Sequence, residues 1–191
     1  MGINLNIRGT SGSGKSHLAR RLLARYSQRE PVQPSGAGRP RGYVLSGNLR
    51  PLFVLGHYEG DHGGGADNVS DREEGFGLLT HFAQEGHDLF WEGVIYSDEV
   101  TRTLALSRIA ETHIIVLATP IEQCLADVRA RREAKGNLKP LSEKNTVSRV
   151  ASIISACNRL KYGQSPGLPK QNVETLGREE AWLRCIELLG L

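Results

Sequence analysis

Long apolar runs are missing from this sequence of 191 residues; the longest, such as Ile114–Ala118, reach about five or six residues. That is far below the roughly 20 needed to span a bilayer, so no membrane partner is expected. Met1-Gly2-Ile3-Asn4 lacks the basic stretch and following apolar run of a secretory leader. Asn at position 6, where Ser or Thr is needed, also excludes myristoylation at Gly2. Cysteine is scarce. Cys124, Cys157 and Cys185 are odd in number and far apart, which excludes a disulfide frame or a zinc site and points to reduced thiols in a cytoplasmic protein. Aromatic residues make up 6 %, and Trp91, Trp182 and the scattered Tyr and Phe form no stacking series of the kind that marks a single-strand groove. What remains, 39 % apolar and 24 % charged residues, is the composition of a globular chain. The length suits one domain, taken as 1–191.

Charge is unevenly spread. Between Glu59 and Glu74 six acids face one base, Arg72, and the net charge of +3 therefore hides a basic excess elsewhere. Such a surface attracts phosphorylated partners, nucleic acid among them. Strand and helix patterns alternate along the chain. Ile3–Ile7 reads as a strand, followed by a helix from Ser16 to about Gln28 with Leu18, Leu22 and Tyr26 on one stripe. Pro31–Gly42 reads as an irregular connection and Gly56–Asn68 as a glycine-rich loop. Tyr43–Leu45 and Leu52–Leu55 read as a hairpin or two short strands around Ser46-Gly47-Asn48. Ser70-x-x-Glu73 predicts a capping box for a helix that buries Phe76, Leu79, Phe82 and Ala83 and ends at Gly86.

Beyond it, Asp88–Trp91 and His113–Ala118 read as buried strands, with a helix between them capped by Ser97 and running to about Ala110. Thr119 is the expected cap of the next helix, with Pro120 at its first position and Ile121, Leu125 and Val128 on its buried stripe. A polar stretch, Lys135–Ser142, precedes a long helix ending near Tyr162. Gln164–Pro169 is a loop, Asn172–Leu176 a strand, and Gly177–Leu189 a closing helix. The alternation predicts an α/β fold, a mostly parallel sheet covered on both faces.

One motif decides the class. Gly9-Thr10-Ser11-Gly12-Ser13-Gly14-Lys15-Ser16 fills every fixed position of G-x-x-x-x-G-K-[ST], between a strand and an amphipathic helix. Small residues let backbone N–H groups close around phosphate, and the helix start adds its positive dipole end. Lys15 is expected at the β- and γ-phosphates of ATP and the Ser16 hydroxyl on Mg²⁺. His17, on the next turn, is grouped with the nucleotide-binding residues, with packing or a surface place as its alternative. The fold implied is a three-layer P-loop NTPase fold with a small lid. A dinucleotide loop fails at the third glycine, where His17 stands. Asp61-x-x-Gly64 has the spacing of a GTPase magnesium loop, but Asn-Lys-x-Asp is absent.

Other candidates surround this motif. Glu92 ends the Asp88-Leu89-Phe90-Trp91 strand, where a second metal ligand or a proton acceptor sits; a solvent-facing strand end is the alternative. Arg129 and Arg132 lie near the buried stripe of the helix after Thr119 and suit a lid, about 129–142, that clamps the moving phosphate. A solvated basic face is the plainer account, and Arg131 reads as a surface partner of Asp127. In the acidic loop Asp67 or Asp71 is a candidate general base, Asp71 the weaker because helix starts favour acids anyway. Asp61 is a further candidate in that loop. His57 and His62 with Asp61 are spaced too loosely for a metal site.

The P-loop, Glu92, Thr119-Pro120-x-Glu122 and the Arg129/Arg132 pair together resemble the small P-loop kinases of the nucleotide-kinase type, over roughly Ile3 to Leu176. More narrowly, Leu52-Phe53-Val54-Leu55-Gly56-His57-Tyr58-Glu59 and Gly86-His87-Asp88-Leu89-Phe90-Trp91-Glu92-Gly93 resemble segments of phage-encoded P-loop kinases. Some of those belong to thymidine hypermodification and phosphorylate 5-hydroxymethyluracil already in phage DNA. The resemblance implies a base-linked CH₂OH as acceptor, DNA as partner and the host cytoplasm as location. The Asp-Arg pair common after the second strand of nucleoside monophosphate kinases has no clear counterpart, which counts against a free monophosphate.

The mechanism expected is phosphoryl transfer from ATP-Mg²⁺, with Lys15 and the lid arginines balancing charge and Glu92 or Asp67 orienting the hydroxyl. Arg20, Arg21, Arg39, Arg41 and Arg50 are candidates for holding a DNA backbone, or ordinary solubilising charges. Two other functions stay open: a kinase of a free nucleotide, nucleoside or small metabolite, and an NTP-hydrolysing switch or binding module.

Overall fold

Strand β1 (Ile3–Arg8) lies inside a seven-stranded sheet in a computed structural model that describes all residues except 34–37, 48–49, 60–63, 70, 138–139 and 164–168. The other strands are β2 (Gln28–Val32), β3 (Gly42–Ser46), β4 (Leu52–Leu55), β5 (Asp88–Glu92), β6 (Glu111–Leu117) and β7 (Asn172–Leu176). The helices are α1 (Lys15–Leu23), α2 (Arg72–Gln84), α3 (Thr101–Leu106), α4 (Ile121–Glu133), α5 (Glu143–Tyr162) and α6 (Arg178–Leu189). The sheet order is β2-β3-β4-β5-β1-β6-β7. β4, β5, β1, β6 and β7 run parallel, and β3 and β2 extend the sheet antiparallel. From β1 the chain moves out to one side of the sheet and returns to the other, so the order reverses beside β1. Open α/β sheets bind ligands in the crevice at such a reversal.

Alternation along β1 shows how both faces are filled. Leu5 and Ile7 pack with Leu18 and Leu22 of α1 and Trp182 and Cys185 of α6. The opposite face carries Phe76 and Leu79 of α2 against Leu89 and Trp91, and Ile153 and Leu160 of α5 against Ile114. On that face β1 presents polar side chains, all fully buried: Asn4, Asn6 and Arg8. Each is satisfied, as buried polar groups must be. Asn4 accepts from Trp91 Nε1 (2.7 Å) and donates to Thr112 Oγ1 (3.0 Å). Arg8 donates to Asn6 Oδ1 (2.6 Å), to the carbonyls of Ser97 (3.1 Å) and Glu99 (2.7 Å), and to Thr103 Oγ1 (2.8 Å). The segment following β5 is thereby tied to the strand that carries the phosphate loop.

Several local expectations change. α1 stops at Leu23, and Gln28–Val32 is a strand where a helix end and an irregular connection are expected. β2 pairs only with β3 at the sheet edge, stays largely exposed and contains Pro31, so it carries no apolar alternation to read. Ser97 does not cap a helix: its hydroxyl donates to Gly93 O at 2.6 Å, and α3 begins only after Val100. Pro120, not Thr119, holds the cap position of α4. Ser70 lies outside the described residues; Asp71 caps α2, accepting from the Glu73 amide at 2.9 Å. By contrast Asn172–Leu176 and the end of the long helix at Tyr162 stand where the pattern puts them. No helix among the described residues is long and apolar enough to cross a membrane.

Candidate active site

β1 ends at Arg8, and Gly9–Gly14 turn back over the start of α1 at the reversal point of the sheet. Gly12 has φ +81°, and a Cβ there would stand 2.2 Å from the Cys124 carbonyl oxygen of α4. Only glycine lets the turn pass that close. Lys15 is buried and its Nζ donates to the carbonyls of Gly9 (2.7 Å) and Thr10 (2.9 Å). Burial lowers its pKa below the ordinary lysine value, opposed by the charges of Glu92 and Asp67.

Glu92 ends β5 beside this loop and accepts from Ser16 Oγ at 2.9 Å. Burial pushes its carboxyl above the ordinary range, with Lys15 opposing. The glycine-rich segment before α2 closes against it: a Cβ on Gly65, at φ +93°, would lie 2.1 Å from Glu92 Oε1. Asp67 follows in a short 3-10 turn, Ala66–Asn68. Its two oxygens accept from the amides of Val94 and Ile95, each at 3.0 Å. Lys15, Ser16, Glu92 and Asp67 thus converge in one cavity of about 860 Å³, which Ser11, Gly12, Gly14 and the exposed His17 also line. Arg20 and Arg39 reach the same cavity. Arg21 instead pairs with Glu179, Arg41 with Glu74, and Arg50 with Asp88 at the opposite end of the sheet. Asp61 and His62 lie outside the described residues, and His57 contacts Tyr43 through Nδ1 at 3.0 Å.

Three residues outside the expected nucleotide-binding set border the loop or its cavity. Thr119 donates to Ser13 O at 2.8 Å. Arg178, at the first turn of α6, donates to Gly12 O (2.8 Å) and Ser13 O (3.0 Å) and meets Asp127 Oδ2 at 2.6 Å. That bond is the main reason the Asp127 carboxyl falls below its ordinary value. A cation at a helix start opposes the dipole, and that misfit is the one signal by which Arg178 is detectable in the sequence. Arg131 is the third. It lines the cavity with Lys15, while Asp127, its expected partner, has its salt bridge with Arg178. The buried centre of α4 is Cys124, Leu125 and Val128; Arg131 follows Cys124 and Val128 at helical spacing, whereas Ile121, from which the expected stripe starts, is only half-buried. Arg129 turns outward to Glu143 at 2.7 Å. Arg132 donates to Pro140 O at 3.4 Å and lines a second, neighbouring cavity.

A sheet whose order reverses at a glycine-walled lysine, with a serine and a strand-end acid paired next to it, is the P-loop NTPase architecture. Over 186 residues, 96 % of this chain and 96 % of the relative, the sequence is 36 % identical to a 5-hmdU DNA kinase of Pseudomonas phage PaMx11. A 5-hmdU DNA kinase of Delftia phage PhiW-14 is 28 % identical over 171 residues, 81 % of this chain and 62 % of that protein. No protein-family model matches. The chain belongs to the family of 5-hmdU DNA kinases.

Proposed function

We infer that this protein transfers the γ-phosphate of ATP to the hydroxymethyl oxygen of 5-hydroxymethyluracil in DNA. The near-full-length likeness to the PaMx11 5-hmdU DNA kinase carries the acceptor assignment. The new bond joins the CH₂–O oxygen to the γ-phosphorus, the bond from that phosphorus to the ADP oxygen breaks, and the hydroxyl proton passes to a carboxylate and then to water. Both relatives are phage proteins, and the host cytoplasm is where such DNA is reached.

Each role follows from the site. Backbone N–H groups of Gly9–Gly14 and the α1 start cradle the donor's phosphates, and Lys15 swings from the Gly9 and Thr10 carbonyls to their charge. The Ser16 hydroxyl would ligate magnesium together with nucleotide phosphates, and Glu92, 2.9 Å from it, would hold a magnesium-bound water. Among the described residues no group of three or more acidic, His or Cys side chains forms a separate metal cage. When bound beside Ser16 and Glu92, magnesium would supply charge neutralisation for the phosphates. Both oxygens of Asp67 are engaged by the Val94 and Ile95 amides, which suits it to holding the segment after β5 rather than meeting the hydroxyl. Glu92 is the better proton acceptor of the two. Arg131, which lines the cavity with Lys15, balances the charge on the moving phosphate. A target base in a duplex must be swung out, at a cost of roughly a few kcal/mol.

The test is label transfer from γ-labelled ATP to 5-hydroxymethyluracil DNA, ordinary DNA, and free nucleosides and monophosphates. Label in the modified DNA alone, lost in Lys15→Ala, is the expected result. Label confined to free nucleotides overturns the assignment.

A further inference from the structure

The cavity that holds Lys15 and Glu92 has a neighbour of about 560 Å³ between the end of α4 and the first half of α5. Ser11, Val94 and Arg131 line both, so they form a shared wall. Whatever occupies the second cavity therefore abuts the phosphate loop beside the lid arginine, on the side facing away from Arg178 and Glu179, which line only the first.

The chemistry of the second cavity differs from that of the first. Arg131, Arg132 and Arg149 line it, and no carboxylate does so among the described residues, whereas four acids line the first: Asp67, Glu92, Asp127 and Glu179. Arg149 is held in place by Asp98 at 2.9 Å. α5 supplies the rest of the wall and changes character along its length. Its second half turns Ile153, Ala156, Cys157 and Leu160 to the core. Its first half turns Asn145, Ser148, Arg149 and Ser152 to the cavity, a spacing of three or four residues that keeps them on one face. Asn145, Ser148 and Ser152 are short and exposed, so this is an open groove with amide and hydroxyl donors and acceptors rather than a closed pocket. An open groove with guanidiniums and no acid suits a polyanionic strand passing through, more than a small molecule that must be enclosed.

Resting on the kinase reading above, we propose that the acceptor strand of DNA lies in this groove, its phosphates on Arg132 and Arg149 and its extruded pyrimidine against Asn145 and Ser148. The extruded base then presents its hydroxymethyl group at the wall shared with the donor cavity, between Ser11 and Arg131. Hydrogen-bonding side chains on α5 select the base, and the arginines give the salt-dependent, sequence-independent part of the affinity.

Ser148→Glu places a like charge in the groove at an exposed position, and Asn145→Ala removes an amide there. Steady-state transfer to an oligonucleotide with one 5-hydroxymethyluracil, with thermal melts confirming the fold, reads both. The expected result is a rise of about tenfold or more in KM for DNA in Ser148→Glu, larger at low salt because the repulsion is screened at high salt. KM for ATP stays within about twofold of wild type, since the donor cavity is untouched. Arg132→Gln lowers the slope of log affinity against log salt for single-stranded DNA by about one. If wild-type protein labels the oligonucleotide while Ser148→Glu and Asn145→Ala keep its KM for DNA, the groove assignment falls and the kinase reading stands. If wild-type protein labels no DNA, the kinase reading falls and the groove with it.

Discussion

Asp127 and Arg178 meet at 2.6 Å on the outside of the phosphate loop, and the same guanidinium holds the carbonyls of Gly12 and Ser13. The loop's inner surface can present its N–H groups only if its outward carbonyls are fixed. Arg178→Ala is therefore expected to raise KM for ATP several-fold and to cost about 1–3 kcal/mol of stability, the usual loss for charged hydrogen bonds. Arg178→Lys, a point charge that cannot fork, recovers only part of it. Titration with a non-hydrolysable ATP analogue, alongside urea unfolding, measures both.

Arg131 and Arg129 are two residues apart on α4 and face different ways. Arg131→Ala should lower kcat by about a hundredfold or more, the scale for removing one preorganised charge at a developing anion. Arg129→Ala removes an exposed pair with Glu143, worth about 0–1 kcal/mol of stability, and should leave kcat within about twofold. Equal effects of the two on kcat would show that α4 does not present Arg131 to the reacting phosphate.

Gly65 sits against Glu92 with no room for a methyl group. Gly65→Ala is expected to push Glu92 away from Ser16 and to strain a left-handed backbone, at about 1–3 kcal/mol. Turnover should fall further than that loss of stability accounts for, and binding of the analogue without metal should change little. Parallel measurement of kcat, analogue affinity with and without magnesium, and Tm separates the effects.

Alkaline pH should unfold the protein through its buried tyrosines. Burial first, then Glu59, pushes Tyr43 from 10.0 up to about 12; burial first, then Asp67, does the same to Tyr96, whose phenol donates to Val69 O at 2.7 Å. Between pH 10 and 12 the unfolded chain holds fewer protons than the native one, so stability falls as pH rises. The contribution is full below pH 10 and is lost by about pH 12. Urea midpoints taken from pH 8 upward should fall above pH 10, and Tyr96→Phe should flatten that fall.

What could be read from the sequence is what is local in it. The phosphate loop is eight consecutive residues, and strand β7 is a short stretch with β-branched Val173 and Thr175 between loop signals; both need no knowledge of the rest of the chain. Arg178 is different in kind: its carbonyl acceptors lie 165 and 166 residues away. Its only trace is a cation where a helix dipole disfavours one. Arg131 has Asp127 at the spacing of a surface pair, and nothing in α4 alone shows that Asp127 is taken by Arg178. β2 leaves no mark in the sequence because an exposed edge strand is held by backbone pairing with β3 and has no hydrophobic period.

β1 has another consequence, for the order in which the protein comes into being. Its two neighbours, β5 and β6, pair with Asn4 through Leu89 and Thr112. During synthesis the phosphate loop leaves the ribosome before either strand that flanks β1, and β6 follows β1 by more than a hundred residues. Non-local parallel pairing of this kind folds slowly. The nascent chain thus carries a complete nucleotide motif that cannot hold a nucleotide, and competence arrives late, when β6 closes on the far side of β1.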